Sequence, residues 1–312
     1  MNRAFIFPGQ GSQSIGMAKD FYDNFIVAKE TFQIVDEALK FNLSKLIFGG
    51  NIEDLSQTEN TQPALMVVSV AIVNTIKQQT GKNITALCSY ASGHSLGEYS
   101  ALCVAESIGL EDTAKLLRLR GSSMQAACKT IQGSMAAIIG MKMEQIEHIL
   151  TDISKIGVCQ IANDNIDGQV VISGKAELVD LAIAKVKDHN YKAIKLNVSA
   201  PFHCDLIKPA EAIMAEALKI TQIKEPMVPI IANISASITT ETEIIEQNLI
   251  KQICGRVRWR ESMNLLAKLG VIEVVEIGNG RVLTNMAVKG NYPFKSTNIS
   301  NIKEFDEFAK TI

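Results

Sequence analysis

The chain opens on an unbroken apolar run, RAFIF, closed by the turn-forming PGQGSQ. Five residues without polar alternation, stopped by Pro and Gly, predict a short strand buried on both faces. Helical periodicity follows near residues 17–40 and again near 62–80. The stretch ITALCSYAS then mixes apolar and β-forming residues without a helical repeat and predicts a strand. LGEYSALCVAES, just beyond it, is rich in helix formers, and another helix is predicted from about Leu110 to Cys128. Strands alternating with helices imply a mainly parallel sheet covered on both faces.

Near Gly133 the pattern changes. GSMAAIIGM reads as a strand and MEQIEHILTDI as a helix. IGVCQIAND and GQVVISG are strands joined by NID, KAELVDLAIAKVKDH is a helix and YKAIKLNV a strand. The order β-α-β-β-α-β defines a split, ferredoxin-like unit. It is placed at 129–198, inserted into a larger α/β-hydrolase-like domain made of 1–128 and 199–312. Strands at VPIIAN and VIEVVEIG resume the larger α/β pattern. A cleft between the two units is the default position for a site.

Composition narrows the functional classes. Apolar residues make up 47%, and 31 basic residues nearly cancel 33 acidic ones. Such a balance argues against a general nucleic-acid or membrane-surface binder, though not against a local basic patch. The cysteines (Cys88, Cys103, Cys128, Cys159, Cys204 and Cys254) form no C-x-x-C and no zinc spacing with histidine. They read as reduced thiols of a cytoplasmic protein. MNRAFIFPGQG lacks the long apolar stretch of a secretory signal, and PALMVVSVAIV is too short to span a bilayer.

The candidate chemistry centres on Gly93-His94-Ser95-Leu96-Gly97, a G-x-S-x-G. A sharp strand-to-helix turn would lift the Ser95 hydroxyl above the sheet, with small residues where strand and helix nearly touch. The same five residues also describe an ordinary glycine-tight turn with a capping serine. A nucleophilic serine needs a base. His94 adjoins Ser95 and should point away from it; His148 belongs to a helix of the small unit and His189 to a polar turn. His203 follows the last strand of the small unit, where the chain re-enters the large domain, and is the best-placed base. No acid in 96–202 stands out as its orienter; Asp167-Gly168 could serve a Ser-Asp dyad, but a hairpin turn explains the pair more simply.

Arg120 is unusual for a different reason. On a helical wheel Leu110, Ala114, Leu117, Gly121 and Met124 form an apolar stripe, and Arg120 falls inside it. A charge on such a face is costly unless paired, and a guanidinium fork suits a carboxylate. The alternatives are a snorkelling side chain or an internal salt bridge.

The segments FIFPGQGSQSIGM, TQPALMVVSVAI, SGHSLGEYSAL, LLRLRGSSMQ, GSMAAIIG, GQVVISG, NVSAPFHC and EIGNGRVLTNM span nearly the whole chain. In that order they resemble the malonyl-CoA:acyl carrier protein transacylases, stand-alone acyltransferases of bacterial fatty acid synthesis. The resemblance implies that Ser95 is the nucleophile and His203 the base, held by the backbone carbonyl of Gln252. It implies an oxyanion hole made by the amides of Gln10 and Leu96. It gives Arg120 the malonyl carboxylate, and Phe202 the task of crowding the α-carbon against branched groups. Malonyl-CoA and acyl carrier protein are the implied partners, and the transfer requires no metal or redox cofactor. No nucleic acid or membrane enters, and a monomer is expected.

A serine hydrolase or thioesterase would share the elbow without needing Arg120, and an inactive carrier-binding scaffold would need neither. Gly255-Arg256, Asn279 and NDNIDGQ depart from the family pattern at turns, which puts local loop shape in question. Lys251, Arg256, Arg258 and Arg260 crowd together near Gln252 and read either as a docking patch for an acidic carrier or as internal salt bridges.

Overall fold

The structure is a computed structural model that describes residues 2–128, 132–198 and 200–312. It is a mixed α/β fold with two separate sheets. The larger sheet contains β1 (Arg3–Phe7), β2 (Tyr90–Gly93), β7 (Ile230–Ile231), β8 (Ile238–Thr239), β9 (Glu273–Ile277) and β10 (Lys295–Ile299). Its order is β10-β9-β1-β2-β7-β8, parallel except where β8 folds back on β7. The smaller sheet contains β3 (Gly133–Ile139), β4 (Cys159–Ile166), β5 (Gln169–Lys175) and β6 (Lys192–Lys195), in the order β4-β5-β3-β6 and antiparallel throughout.

Alternation along β1 explains why the large sheet is covered twice. Phe5 and Phe7 enter the main core with Val275 and Ile277, whereas Ala4 and Ile6 pack on the opposite face with Val274 and Trp259. The small sheet also has two buried faces. Ala136, Ile138, Val170 and Ile172 pack against its own helices, Met143–Ile153 and Ala176–Asp188. Met135, Ala137 and Val171 belong to the main core instead. The two sheets therefore share apolar packing as well as a cleft.

The expected borders of the small unit touch residues 129–131 and 199, which lie outside the described residues. Several expected elements shift. The helical stretch at 17–40 is two helices, Lys19–Asn24 and Ile26–Leu39, separated by an extended Phe25 (φ −127°) whose ring packs on Phe21 and Phe305. The helix expected at 62–80 starts earlier, at Thr58, and carries Pro63 inside it. Proline cannot donate to the Glu59 carbonyl one turn back. That carbonyl accepts from Arg118 Nη1 at 3.4 Å.

ITALCSYAS is only partly a strand. Ile84–Leu87 forms a helical turn, because Asn83 accepts the Ala86 amide at 3.1 Å as an N-cap, and β2 begins at Tyr90. The hairpin between β4 and β5 turns at Asp167-Gly168, with Gly168 at φ 72°, so Asp167 belongs to the turn expected of Asp-Gly. β1 and β2 lie side by side with Phe7 opposite Gly93. The strand order reverses around β1, and loops at the carboxyl ends of such strands form a natural crevice.

Candidate active site

The turn after β2 is shaped by two glycines. A Cβ on Gly93 would lie 2.0 Å from the Gly97 carbonyl, and one on Gly97 would lie 2.3 Å from the Phe7 oxygen. Only hydrogen fits at either position, so strand and helix can approach as the motif demands. The His94 amide donates to Phe7 O at 2.9 Å, tying the turn to β1. Ser95 itself has φ 54°, a left-handed conformation that a β-carbon disfavours. Asn233, fully buried after β7, holds it there. Asn233 Oδ1 accepts the Ser95 amide at 2.7 Å, and Asn233 Nδ2 donates to Gly93 O at 2.7 Å.

His203 meets Ser95 across the chain re-entry. Its Nε2 lies 2.8 Å from Ser95 Oγ, and its Nδ1 lies 2.9 Å from the backbone oxygen of Gln252. The carbonyl accepts, which fixes the proton on Nδ1 and leaves Nε2 free to accept from the serine. His203 also sits at positive φ, 58°. Burial, reinforced by the positive charge of Arg120, lowers its pKa from 6.5 to about 3. It is therefore neutral near pH 7. His94 also lines this cleft, but no other histidine is hydrogen-bonded to Ser95 Oγ among the described residues. His94 pairs with Asn165 at 2.9 Å and packs on Trp259, while His148 and His189 are exposed.

Arg120 lies on the helix Leu110–Ala127 and is 1% exposed. It reaches the site because Gly121 lets this helix press on the helix Thr58–Thr80; a Cβ there would sit 2.5 Å from Glu59 Cα. Its Nη1 donates to Gln62 Oε1 at 2.8 Å. Its Nη2 donates to Gln252 Oε1 at 2.9 Å and to Ser95 Oγ at 3.1 Å. The Tyr99 ring lies 5.7 Å from the guanidinium carbon. Arg120 Nε has no acceptor among the described residues, and none of them offers Arg120 an ion pair. Tyr99 and the buried carboxyl of Glu98 act on it electrostatically, Glu98 being reached through the Gln252 side-chain amide, which donates to Glu98 Oε2 at 2.7 Å. Glu98 is itself pushed up by burial to about 7, so even that charge is partial near neutrality. Arg120 neither snorkels nor closes a salt bridge.

A cleft of about 880 Å³ contains Ser95, His203 and Arg120 together with Gln10, Leu96 and Phe202. Met135, Asn163 and Leu196 of the small sheet and its flank form the facing wall. Among the described residues no acceptor engages the backbone amides of Gln10, in the loop after β1, or of Leu96, in the elbow itself. Phe202 is 8% exposed and adjoins His203 in the chain.

The basic cluster near Gln252 is largely neutralised. Arg260 clasps Asp164 with two 2.9 Å hydrogen bonds. Arg258 Nη2 meets Glu261 at 2.5 Å, and Arg256 lies 3.4 Å from Glu261 and 3.7 Å from Glu147. Only Lys251 of the four lacks an ion pair among the described residues. The family departures have local explanations. Gly255 abuts the Lys251 carbonyl, which a Cβ would approach to 2.7 Å. Asn279 Nδ2 bridges to Ser12 O and, at 2.9 Å, to Ser14 Oγ.

Asn233, Glu98 and Gln62 complete the constellation and carried no sequence signal of their own. Among the described residues no three His, Cys, Asp or Glu side chains group as metal ligands, and no helix is long and apolar enough to cross a membrane.

An elbow serine beside a histidine, with a buried cation opening onto the same cleft, is the equipment of acyl transfer. A model of the acyl transferase domain family matches residues 4–303, and the chain belongs to that family. It is 41% identical over 311 residues to the malonyl CoA-acyl carrier protein transacylase of Bacillus subtilis, covering 99% of this chain and 96% of that protein. It superposes with a TM-score of 0.97 on the crystal structure of acyl-carrier-protein-S-malonyltransferase from Bartonella henselae, at 44% identity, with 100% of this chain and 99% of the other covered. A structure of a type II PKS acyl-carrier protein in complex with its malonyl-transacylase matches at 34% identity and a TM-score of 0.95, covering 100% of both chains. Within the acyl transferases, the chain is a member of the malonyl CoA-acyl carrier protein transacylase family.

Proposed function

We propose that this protein moves a malonyl group from malonyl-CoA to the phosphopantetheine thiol of acyl carrier protein, through a malonyl ester on Ser95, in fatty acid synthesis. The observation that carries this reading is Arg120. It is a desolvated guanidinium held by neutral partners and 3.1 Å from Ser95 Oγ. It lacks one thing, a carboxylate, and a malonyl group supplies one two carbons from the carbonyl under attack.

The steps follow from the geometry. His203 Nε2 takes the proton of Ser95 Oγ, and the oxygen attacks the thioester carbonyl. The developing oxyanion faces the free amides of Gln10 and Leu96. The C–S bond breaks, and the departing CoA sulfur takes the proton from His203. The carrier thiol then gives its proton to His203 and attacks the serine ester. The C–O bond breaks, and Ser95 regains its proton. Gln252 holds the imidazole through its backbone oxygen in the role an acid fills elsewhere. Phe202 crowds the α-carbon and favours the unbranched malonyl group. Only protons and an acyl group move, so the transfer needs no metal or redox partner.

Arg120 also accounts for an apparent conflict. A histidine with a pKa near 3 is neutral but a weak base. Burial is the larger cause of that low value and the charge of Arg120 the second; when the malonyl carboxylate pairs with Arg120 the second is offset, and the base strengthens where the substrate is in place.

The fold reading is of one kind with the chemistry. We read the small antiparallel sheet and its two helices as a ferredoxin-like unit set into a hydrolase-like domain, and a cytoplasmic monomer is expected. Mass spectrometry of the intact protein after brief exposure to malonyl-CoA tests the function. One malonyl group should appear on the wild type and none on Ser95→Ala. An adduct surviving in Ser95→Ala would put the nucleophile elsewhere, and immediate release of free malonate would favour a hydrolase.

A further inference from the structure

Glu98 is the second residue of the helix that begins at Gly97, and it is 2% exposed. An acid in the first turn of a helix is ordinarily a solvated partner of the helix dipole. Here a single oxygen, Oε2, accepts two hydrogen bonds from two different segments. One comes from the Asn233 amide at 2.9 Å, the other from Gln252 Nε2 at 2.7 Å. Asn233 is the residue that grips both sides of the elbow, through Ser95 N and Gly93 O. Gln252 is the residue whose carbonyl orients His203, and its side chain also donates to Ser95 O at 3.1 Å and accepts from Arg120.

We propose that Glu98 is a positioning residue for the transfer: its carboxylate joins the Asn233 clamp on the nucleophile to the Gln252 that orients the base and the arginine. The elbow serine, the histidine and the guanidinium come from three separate elements, the histidine 108 residues beyond the serine. The left-handed backbone at Ser95 and His203 would relax if left unsupported. One buried acceptor, placed three residues after the nucleophile, fixes their mutual register. The inference rests on the malonyl-transfer reading, because only there must all three be aligned at once.

Reach and charge are separable. Glu98→Gln keeps an oxygen at the same reach and removes the charge. Glu98→Asp keeps the charge and withdraws it by one methylene. With the full-length protein, the Ser95 acylation rate from quenched-flow mass spectrometry should fall about tenfold or more in Glu98→Asp and stay within about threefold in Glu98→Gln. KM for malonyl-CoA should move less than about twofold in both, since neither Arg120 nor the cleft wall is removed. The reverse order, Asp active and Gln impaired, would overturn the assignment in favour of a simple counter-charge. So would a rise in KM that matches the loss in rate. Should Glu98→Asp not fold, a loss beyond about tenfold in Glu98→Gln overturns it on its own. A wild type that takes no malonyl group would defeat the functional reading itself. A wild type that does, with Glu98→Asp equally fast, would defeat only the role of Glu98.

Discussion

Arg120 and Arg260 occupy two regions that differ in what completes them. Arg260 sits where the small sheet meets the large one, and its fork closes on the fully buried Asp164 with two hydrogen bonds. Charge, geometry and desolvation are settled within the chain. Arg120 is more deeply buried, yet its partners are two glutamine oxygens and a serine hydroxyl. The first region is finished by folding, and in the proposed function the second is finished by the malonyl carboxylate. Desolvating a guanidinium without a counter-ion lowers stability, and the site tolerates that loss where it confers selectivity.

The comparison can be broken in order of expected effect. With His203 as the proposed shared base, His203→Ala should slow acylation by about a thousandfold, near 4 kcal/mol, with little change in melting temperature. A smaller loss would mean that another group accepts the serine proton.

Arg120→Ala should cut kcat/KM for malonyl-CoA by about a hundredfold, near 3 kcal/mol, and spare acetyl-CoA. Arg120→Lys should rescue only in part, because a point charge lacks the fork. Proportional loss on both substrates would make Arg120 structural, like Arg260. The same variant has a titration signature. Removing the cation should raise the His203 pKa above its value of about 3, read by imidazole NMR. The sign for stability follows. A histidine held below 6.5 in the fold makes the protein lose stability as pH falls from about 6.5 towards 3. In Arg120→Ala that loss should level off at a higher pH.

Arg260→Met should do the converse. It strands the Asp164 carboxylate, so unfolding free energy should drop by about 2 kcal/mol, with Arg260 partly exposed and the effect correspondingly moderate. The malonyl-to-acetyl ratio should not move. Arg120→Met, by contrast, should change stability by less than about 1 kcal/mol. A shift in acyl selectivity in Arg260→Met would erase the distinction between the two regions.

The smallest effect is expected at Arg256. It is already shared between Glu261 and Glu147, so Arg256→Glu should raise KM for the carrier by no more than about threefold and leave KM for malonyl-CoA alone. An equal rise for both substrates would remove any part for this surface in carrier docking.

The sequence revealed whatever was enforced locally. Glycines at 93 and 97 are required by backbone contact, so the elbow was legible from five residues. Arg120 was legible because a charge broke an apolar stripe of the helix on which it does lie. Gln252, Gln10 and Leu96 came only through resemblance, since backbone carbonyls and amides leave no trace in side-chain identity. Asn233 and Glu98 were missed for a related reason. An asparagine after a two-residue strand and an acid in a first helical turn are commonplace, and their partners lie well over a hundred residues away. The turn at Ile84–Leu87 departs from the expected strand because a single cap residue outweighs β-forming neighbours.

The seam beside Asp164 has a bearing on traffic through the cleft. Asp164 N donates to Val257 O at 2.9 Å, and Val257 N donates to Ala162 O at 2.8 Å, so one segment of the large unit is laced to β4 as if it were a further strand. Swinging the small sheet outward would tear these bonds and bare a buried carboxylate. That flank is a fixed jamb. Both thiol carriers, the acyl donor and the acyl acceptor, would therefore thread a slender pantetheine arm to a stationary serine, and the bulky bodies that carry those arms, nucleotide in one case and protein in the other, would remain on the doorstep.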